Sequence, residues 1–281
     1  MRHRGPVGSG PDDPAVSGAL RKVGLSRALS KLAYCSRSRA VELIRAGNVR
    51  LNGATQRNPE SGVRLGKDRI EVNDAPISAR SKVYLMINKP RGVVTTASDE
   101  KGRDTVYSCL PEGLPWLAPV GRLDKASEGL LLLTNDSGWA SRIASPETHL
   151  DKTYHVQIAA QADEELLCAL RRGLQTGDGD FLRAKQAHGL RAGPRNAWIE
   201  VVLDEGKNRH IRRMLEHLGI EVLRLVRVSV GPIALENLAK GACRHLTAGE
   251  KSSLDRAMAE NLAGQKRGKR TRLRKSRGLR A

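Results

Sequence analysis

Apolar positions in this chain change their spacing as it proceeds, and each change marks a different kind of element. Leu25, Leu29 and Leu32 recur at helical intervals, and after a break at residues 34–36 the same spacing returns at Ala40, Leu43 and Ile44. That pattern predicts two short helices, each with one apolar face. Gly47 is placed to end the second in a left-handed conformation. Val49 and Leu51 then alternate with polar residues ahead of Asn52-Gly53, a strong hairpin signal, and Val63, Leu65, Ile70 and Val72 supply further short strands. A linker from Pro76 to Lys82 closes this unit.

From Val83 the apolar runs read as strands at 83–87, 92–96, 130–133, 154–159, 197–203 and 222–230, with helical spacing at 163–172 and 208–218. Strands outnumber helices and no regular strand-helix-strand alternation appears, so the expected fold is α+β with a mostly antiparallel or mixed sheet. Residues 1–21 are rich in Gly, Pro and Ser and are expected to be disordered; so is the stretch 262–281, which lacks the apolar surface to fold alone. The chain thus divides into 1–21, a small helical and β unit over 22–82, a larger α+β domain over 83–261, and the terminal stretch 262–281.

Charge gives this division a direction. The chain carries 49 Lys plus Arg against 30 Asp plus Glu, a formal charge of +19. The excess is uneven: 13 basic against 5 acidic in 22–82, 24 against 23 in 83–261, and 9 against 0 in 262–281. A nearly neutral body flanked by two basic segments is the distribution expected of modules that grip a polyanion while the body does something else. In the first module Arg27, Lys31, Arg37, Arg39 and Arg45 fall among the helical positions and are the candidate RNA contacts, the competing reading being a merely solvated helical face. The cations from Lys266 to Arg280 are read as an RNA-seeking arm, against the alternative of a solubility tail.

Several classes are excluded. No apolar run is long enough for a membrane span. Met1-Arg2-His3-Arg4-Gly5-Pro6 leads into Gly, Pro and Asp12-Asp13 instead of an apolar core, so a secretory leader is not expected and the cytosol is the expected compartment. Cys35, Cys109, Cys168 and Cys243 form no Cys-x-x-Cys pair and do not combine with the histidines at zinc spacing; four reduced thiols and no metal are expected. Gly8-Ser9-Gly10 and Gly177-Asp178-Gly179 lack the strand-turn-helix setting of a phosphate loop, and no cofactor is expected.

Chemistry is concentrated in Gly121-Arg122-Leu123-Asp124, which runs through Lys125-Ala126-Ser127-Glu128-Gly129 into a tetraleucine stretch at 130–133. A carboxylate beside a buried strand is costly unless a cation is paired with it, and such positions are often functional, which makes Asp124 the leading catalytic candidate. Asn88-Lys89-Pro90-Arg91-Gly92 lies upstream, Lys152-Thr153-Tyr154-His155-Val156 downstream, and Glu205-Gly206-Lys207-Asn208-Arg209-His210-Ile211-Arg212-Arg213-Met214 further on. In order and content these four segments resemble the RsuA family of ribosomal RNA pseudouridine synthases, over roughly residues 22–250, and the module 22–82 is similar to the S4 RNA-binding domain.

The resemblance implies conversion of a specific uridine of ribosomal RNA to pseudouridine, without redox change, energy source or metal. It makes Asp124 the essential carboxylate, acting as a nucleophile on the ribose C1′ or as a base at C2′, with Arg212 the cation that keeps it ionised and Tyr154 set against the uracil face. Arg122 would fill the gap left by the extruded uridine or else pair with Asp124. Lys152 would contact a phosphate or support the pocket, and Arg213 would reach RNA or remain a surface charge. The implied partner is ribosomal RNA or a ribosome-assembly intermediate, met by a monomer. The Glu-Gly-Lys-Asn-Arg form of the last segment leans towards 23S over 16S RNA. His210, where Gln or Glu is usual, and Ser137, between Asp136 and Gly138, depart from the family pattern and bear on substrate choice more than on the reaction. The rivals are a synthase acting on transfer RNA and a non-catalytic S4-type RNA-binding or assembly factor; the latter has no need for Asp124, Tyr154 and Arg212 together.

Overall fold

The computed structural model describes residues 22–96, 102–177 and 179–278, with side chains as far as residue 264. The segment 1–21, expected to be disordered, lies outside the described residues. The described chain forms two compact units, the smaller of residues 22–28 and 37–77, the larger of residues 29–36 and from 78 onward.

Helices α1 (Leu25–Lys31), which begins in the smaller unit, and α2 (Arg37–Arg45), which lies within it, precede an antiparallel sheet ordered Ala54–Gln56, Val49–Leu51, Ile70–Val72, Ala75–Pro76. Helix α2 turns Ala40, Leu43 and Ile44 inward. Gly47 follows it with φ 82°, while Asn52 and Gly53 take φ values of 52° and 84°. Two successive positive φ values match the twist of the flanking strands, which is why Asn-Gly serves this hairpin.

A nine-stranded sheet forms the larger unit, its main path running Gln186–Ala192, Ala197–Leu203, Lys152–Ile158, Val222–Val230, Glu128–Thr134, Tyr84–Lys89, Cys243–His245. Neighbours along this path are antiparallel except where Val222–Val230 meets Glu128–Thr134 in parallel, with Val226 and Arg227 opposite Glu128 and Gly129. Gly129 makes that approach possible. Its φ is 105°, and a Cβ on it would collide with the Arg227 carbonyl oxygen. The sheet is therefore mixed, and the architecture is the α+β one expected.

Leu130 and Leu132 pack into one cluster with Trp139 and Ile143, while Leu131 and Leu133 pack into another with Leu85 and Ile87. A strand buried on both faces explains a continuous apolar run instead of alternation, and each leucine contributes about 2 kcal/mol by leaving water. A third cluster joins Val156, Ile199 and Val201 of the sheet to helices α4 (Glu164–Arg172) and α5 (His210–His217). Asp163 caps α4 by accepting from the Leu166 N–H at 2.8 Å, an interaction of about 1 kcal/mol.

Several features depart from the sequence reading. Residues 92–96, expected as a strand, form only an isolated bridge between Val94 and Thr105, because Gly92 takes a φ of 94° and turns the chain. Helix α3 (Ser137–Ala144) was not expected. Its helical spacing is too short to stand out, and the signal was its cap, with Asp136 accepting from the Trp139 N–H at 3.1 Å. The basic stretch expected to lack structure instead continues helix α6 (Ala248–Gly278). Thr247 and Glu250 cap α6 reciprocally, and Leu254 and Met258 anchor its first half in the core. With nucleation thus achieved, Lys and Arg propagate the helix without needing apolar burial of their own.

Candidate active site

The loop carrying Asp124 is built through its backbone. Five consecutive carbonyls are bonded: Leu123 accepts from Thr95 Oγ1 at 2.8 Å, Asp124 from Lys89 Nζ at 3.2 Å, Lys125 from Gly92 N at 2.8 Å, Ala126 from Arg212 Nη2 at 3.1 Å, and Ser127 from Lys89 Nζ at 2.8 Å. Ser127 N also donates to the Asp124 carbonyl at 3.0 Å. A loop held at every residue has little freedom, so the direction of the Asp124 side chain is set before any substrate arrives.

Lys89 ends the strand Tyr84–Lys89 with none of its surface exposed, beneath this loop. Its ammonium donates to the Pro90 carbonyl at 3.1 Å as well as to Asp124 and Ser127. Burial pushes its pKa down to about 8, opposed by the charges of Asp124 and Glu128. Three carbonyl acceptors match the three N–H groups of the charged form.

Asp124 borders a cavity of about 250 Å³ whose wall also includes Arg122, Tyr154, Lys207, Arg209 and His210. Among the described residues its carboxylate has no ion-pair partner. Tyr154 stands on Lys152–Ile158 opposite Val201 and Arg227, its ring packed against two of the core clusters. Arg122 is exposed on the same wall, and no group of metal-ligating side chains occurs among the described residues.

Arg212 differs from the expected direct partner of Asp124. It donates to the carbonyls of Ala126 at 3.1 Å and Val222 at 3.5 Å, and its buried Nε has no partner among the described residues. Burial and Arg209 lower its pKa, Asp124 raises it, and Arg91 lowers it again. The guanidinium thus holds the Asp124 loop by its Ala126 carbonyl, and its two terminal nitrogens are taken by backbone carbonyls and not by the carboxylate.

The remaining sites expected from the sequence separate. Lys152 lines an adjoining cavity of about 400 Å³ that also contains Arg122 and Tyr154. Arg213 donates to Asp180 at 2.8 Å and Thr176 at 3.2 Å and lines neither cavity. Arg27, Lys31, Arg37, Arg39 and Arg45 are exposed on helices α1 and α2. His210 is buried in the wall of the Asp124 cavity; burial lowers its pKa, and the Glu205 carboxylate lies 3.8 Å from Nδ1. Lys89, Lys207, Arg209 and Arg227 were given no role from the sequence. The first three lie within the segments that carry the family resemblance, whereas Arg227 is a cation in an apolar strand and had no signal of its own.

An S4-like module joined to a catalytic domain with a caged acidic loop defines an RNA-modifying enzyme. The RNA pseudouridylate synthase family matches residues 83–217, and the S4 domain matches residues 23–70. Ribosomal large subunit pseudouridine synthase B of Bacillus subtilis is 36% identical over 239 residues, covering 84% of this chain and 97% of that protein. An RNA pseudouridine synthase of Rickettsia felis is 38% identical over 223 residues, covering 79% of this chain and 96% of its own. A crystal structure of a pseudouridylate synthase aligns with a TM-score of 0.59 at 30% identity, covering 83% of this chain and 99% of that one. The chain belongs to the RsuA family of RNA pseudouridine synthases.

Proposed function

We propose that this enzyme converts a uridine of large-subunit ribosomal RNA to pseudouridine, with Asp124 as the reacting carboxylate. The observation that carries the assignment is the Asp124 loop, held at five consecutive carbonyls and sharing one cavity with Tyr154. In the reaction the N1–C1′ bond breaks, the base turns in place, C5 bonds to C1′, C5 gives up its proton and N1 gains one. Asp124 serves this sequence either by attacking C1′ or by taking the C2′ proton, and both require it ionised. Lys89 and Arg212 hold the loop that carries it by its carbonyls, so the carboxylate is positioned before the RNA arrives. Tyr154 lies against the uracil, where stacking tolerates rotation of the ring.

A uridine inside structured RNA must first leave its stack, at a cost of a few kcal/mol. Arg122, exposed on the wall and without a protein partner among the described residues, fills the space vacated. The name of the Bacillus subtilis relative supports a large-subunit substrate. The S4 unit contributes Arg27, Lys31, Arg37, Arg39 and Arg45 as phosphate contacts, and the enzyme works as a monomer in the cytoplasm. Carbodiimide primer extension on ribosomal RNA from cells with and without the gene tests the assignment. One 23S uridine should lose its modification and regain it from wild-type enzyme but not from Asp124→Asn; an unchanged 23S map would refute the substrate.

A further inference from the structure

We propose that the cavity beside the Asp124 site receives the nucleotide adjacent to the target uridine, its phosphate held between Lys152 and Arg227. The inference rests on the reading of the Asp124 cavity as the uridine site. The two cavities share Arg122 and Tyr154 in their walls, so their occupants are separated by no more than a side chain. Neighbouring nucleotides on one strand meet that spacing.

Lys152 and Arg227 come from adjacent antiparallel strands, with Lys152 opposite Val230 and Arg227 opposite Tyr154. Arg227 is 6% exposed and anchored by its Nε on the Leu130 carbonyl at 2.7 Å, which leaves its terminal nitrogens without a protein partner among the described residues. Lys152 has neither a hydrogen bond nor an ion pair there. Its two nearby carboxylates are engaged elsewhere, Asp151 with Lys185 at 2.7 Å and Asp204 with His149 at 3.6 Å.

The cavity wall carries Arg122, Lys152, Lys207 and Arg227 against the single carboxylate of Glu205. Two partly desolvated cations side by side are costly until an anion joins them. The rest of the wall is apolar, including Leu132, Ile143 and Val230, and suits the face of a base. A free inorganic anion would use the cations but not these side chains; a nucleotide uses both.

The test is ethylation interference on 23S ribosomal RNA modified at random phosphates and partitioned by binding to wild-type enzyme, Lys152→Met, Lys152→Arg and Ala144→Trp. Ala144 is exposed at the end of α3 and borders the cavity, so a tryptophan there fills it without entering the core. Wild type and Lys152→Arg should reject RNA ethylated at one phosphate flanking the modified uridine. Lys152→Met and Ala144→Trp should bind about tenfold more weakly and lose that single interference while keeping the others. An interference pattern identical in all four proteins would overturn the subsite. If the protected region contained no modified uridine, the failure would instead lie in the assignment of the substrate.

Discussion

Cations of the larger unit and cations of the smaller one use the same charge in opposite ways. Lys89 is buried and Arg212 half-buried, and both direct donors at carbonyls of the Asp124 loop, whereas Arg27, Lys31, Arg37, Arg39 and Arg45 stand exposed on helices α1 and α2. A cation bonded to backbone carbonyls acts at fixed geometry, so it holds one loop in one place. An exposed one is screened and mobile, and acts by releasing counterions from whatever phosphate it meets. The first kind should therefore govern rate and the second affinity.

The sharpest break of that comparison is Asp124→Asn, which keeps size and removes the reactive oxygen. Its single-turnover rate should fall by about four orders of magnitude while RNA affinity stays within about tenfold. Measurable turnover approaching wild type would remove Asp124 from the mechanism. Next in size, Arg212→Met strips the Ala126 carbonyl of its donor and the loop of a positive field, and should slow the same step by about a hundredfold with affinity unchanged. A parallel loss of affinity would place Arg212 among the RNA contacts instead. Arg122→Ala should cost about tenfold more on a paired target than on a flexible oligonucleotide carrying the same uridine, since only the former must be unstacked. Equal losses would point to a role in pairing with Asp124.

The exposed cations should appear in the salt dependence. Replacing Arg37, Arg39 and Arg45 together by Gln should reduce the slope of log affinity against log salt by about 2, and truncation after Gly264 should reduce it by about 2 to 4, each with the rate at saturating RNA retained. That cut spares Leu254, Met258 and the Asn261 side chain, which donates to the Thr148 carbonyl at 2.7 Å. An unchanged slope after truncation would show that the basic half of α6 is not an RNA arm.

The smallest effect is a pH dependence of stability. Because the folded-state pKa of Lys89 lies near 8, below its ordinary value of 10.5, the unfolded chain binds this proton more tightly. Stability should therefore rise with pH between those values, relative to Lys89→Met, and the charged lysine should be at its least favourable below pH 8. Urea unfolding of both proteins at pH 7.5 and 10, expressed as a difference of differences, checks the sign of this effect.

Much of the fold was legible because the elements announce themselves locally. The strands Ala197–Leu203 and Val222–Val230 were read to the residue, since β-branched and apolar residues crowd both. Helix α4 carried its cap, its acidic first turn and its basic last turn in plain order. Strand Gln186–Ala192 was missed because Ala187 is its only buried residue, and an exposed edge leaves almost no hydropathy pattern. Helix α6 was missed, and its basic half was read as lacking structure because composition tests whether a segment can fold alone, whereas this one extends a helix already nucleated.

By itself the sequence marked out the candidates for the chemistry: Asp124, Tyr154, Arg122 and Arg212 lie in contiguous segments whose residue types are the signal. Only the tertiary structure decided what each one touches. Lys89 reaches a carbonyl 35 residues away and Arg212 one 86 residues away, Arg213 turns to Asp180, and Lys152 comes beside Arg227 through strand pairing. The reason is that every residue carries a carbonyl, so a cage of backbone acceptors leaves no trace in residue identity and exists only once the chain has folded.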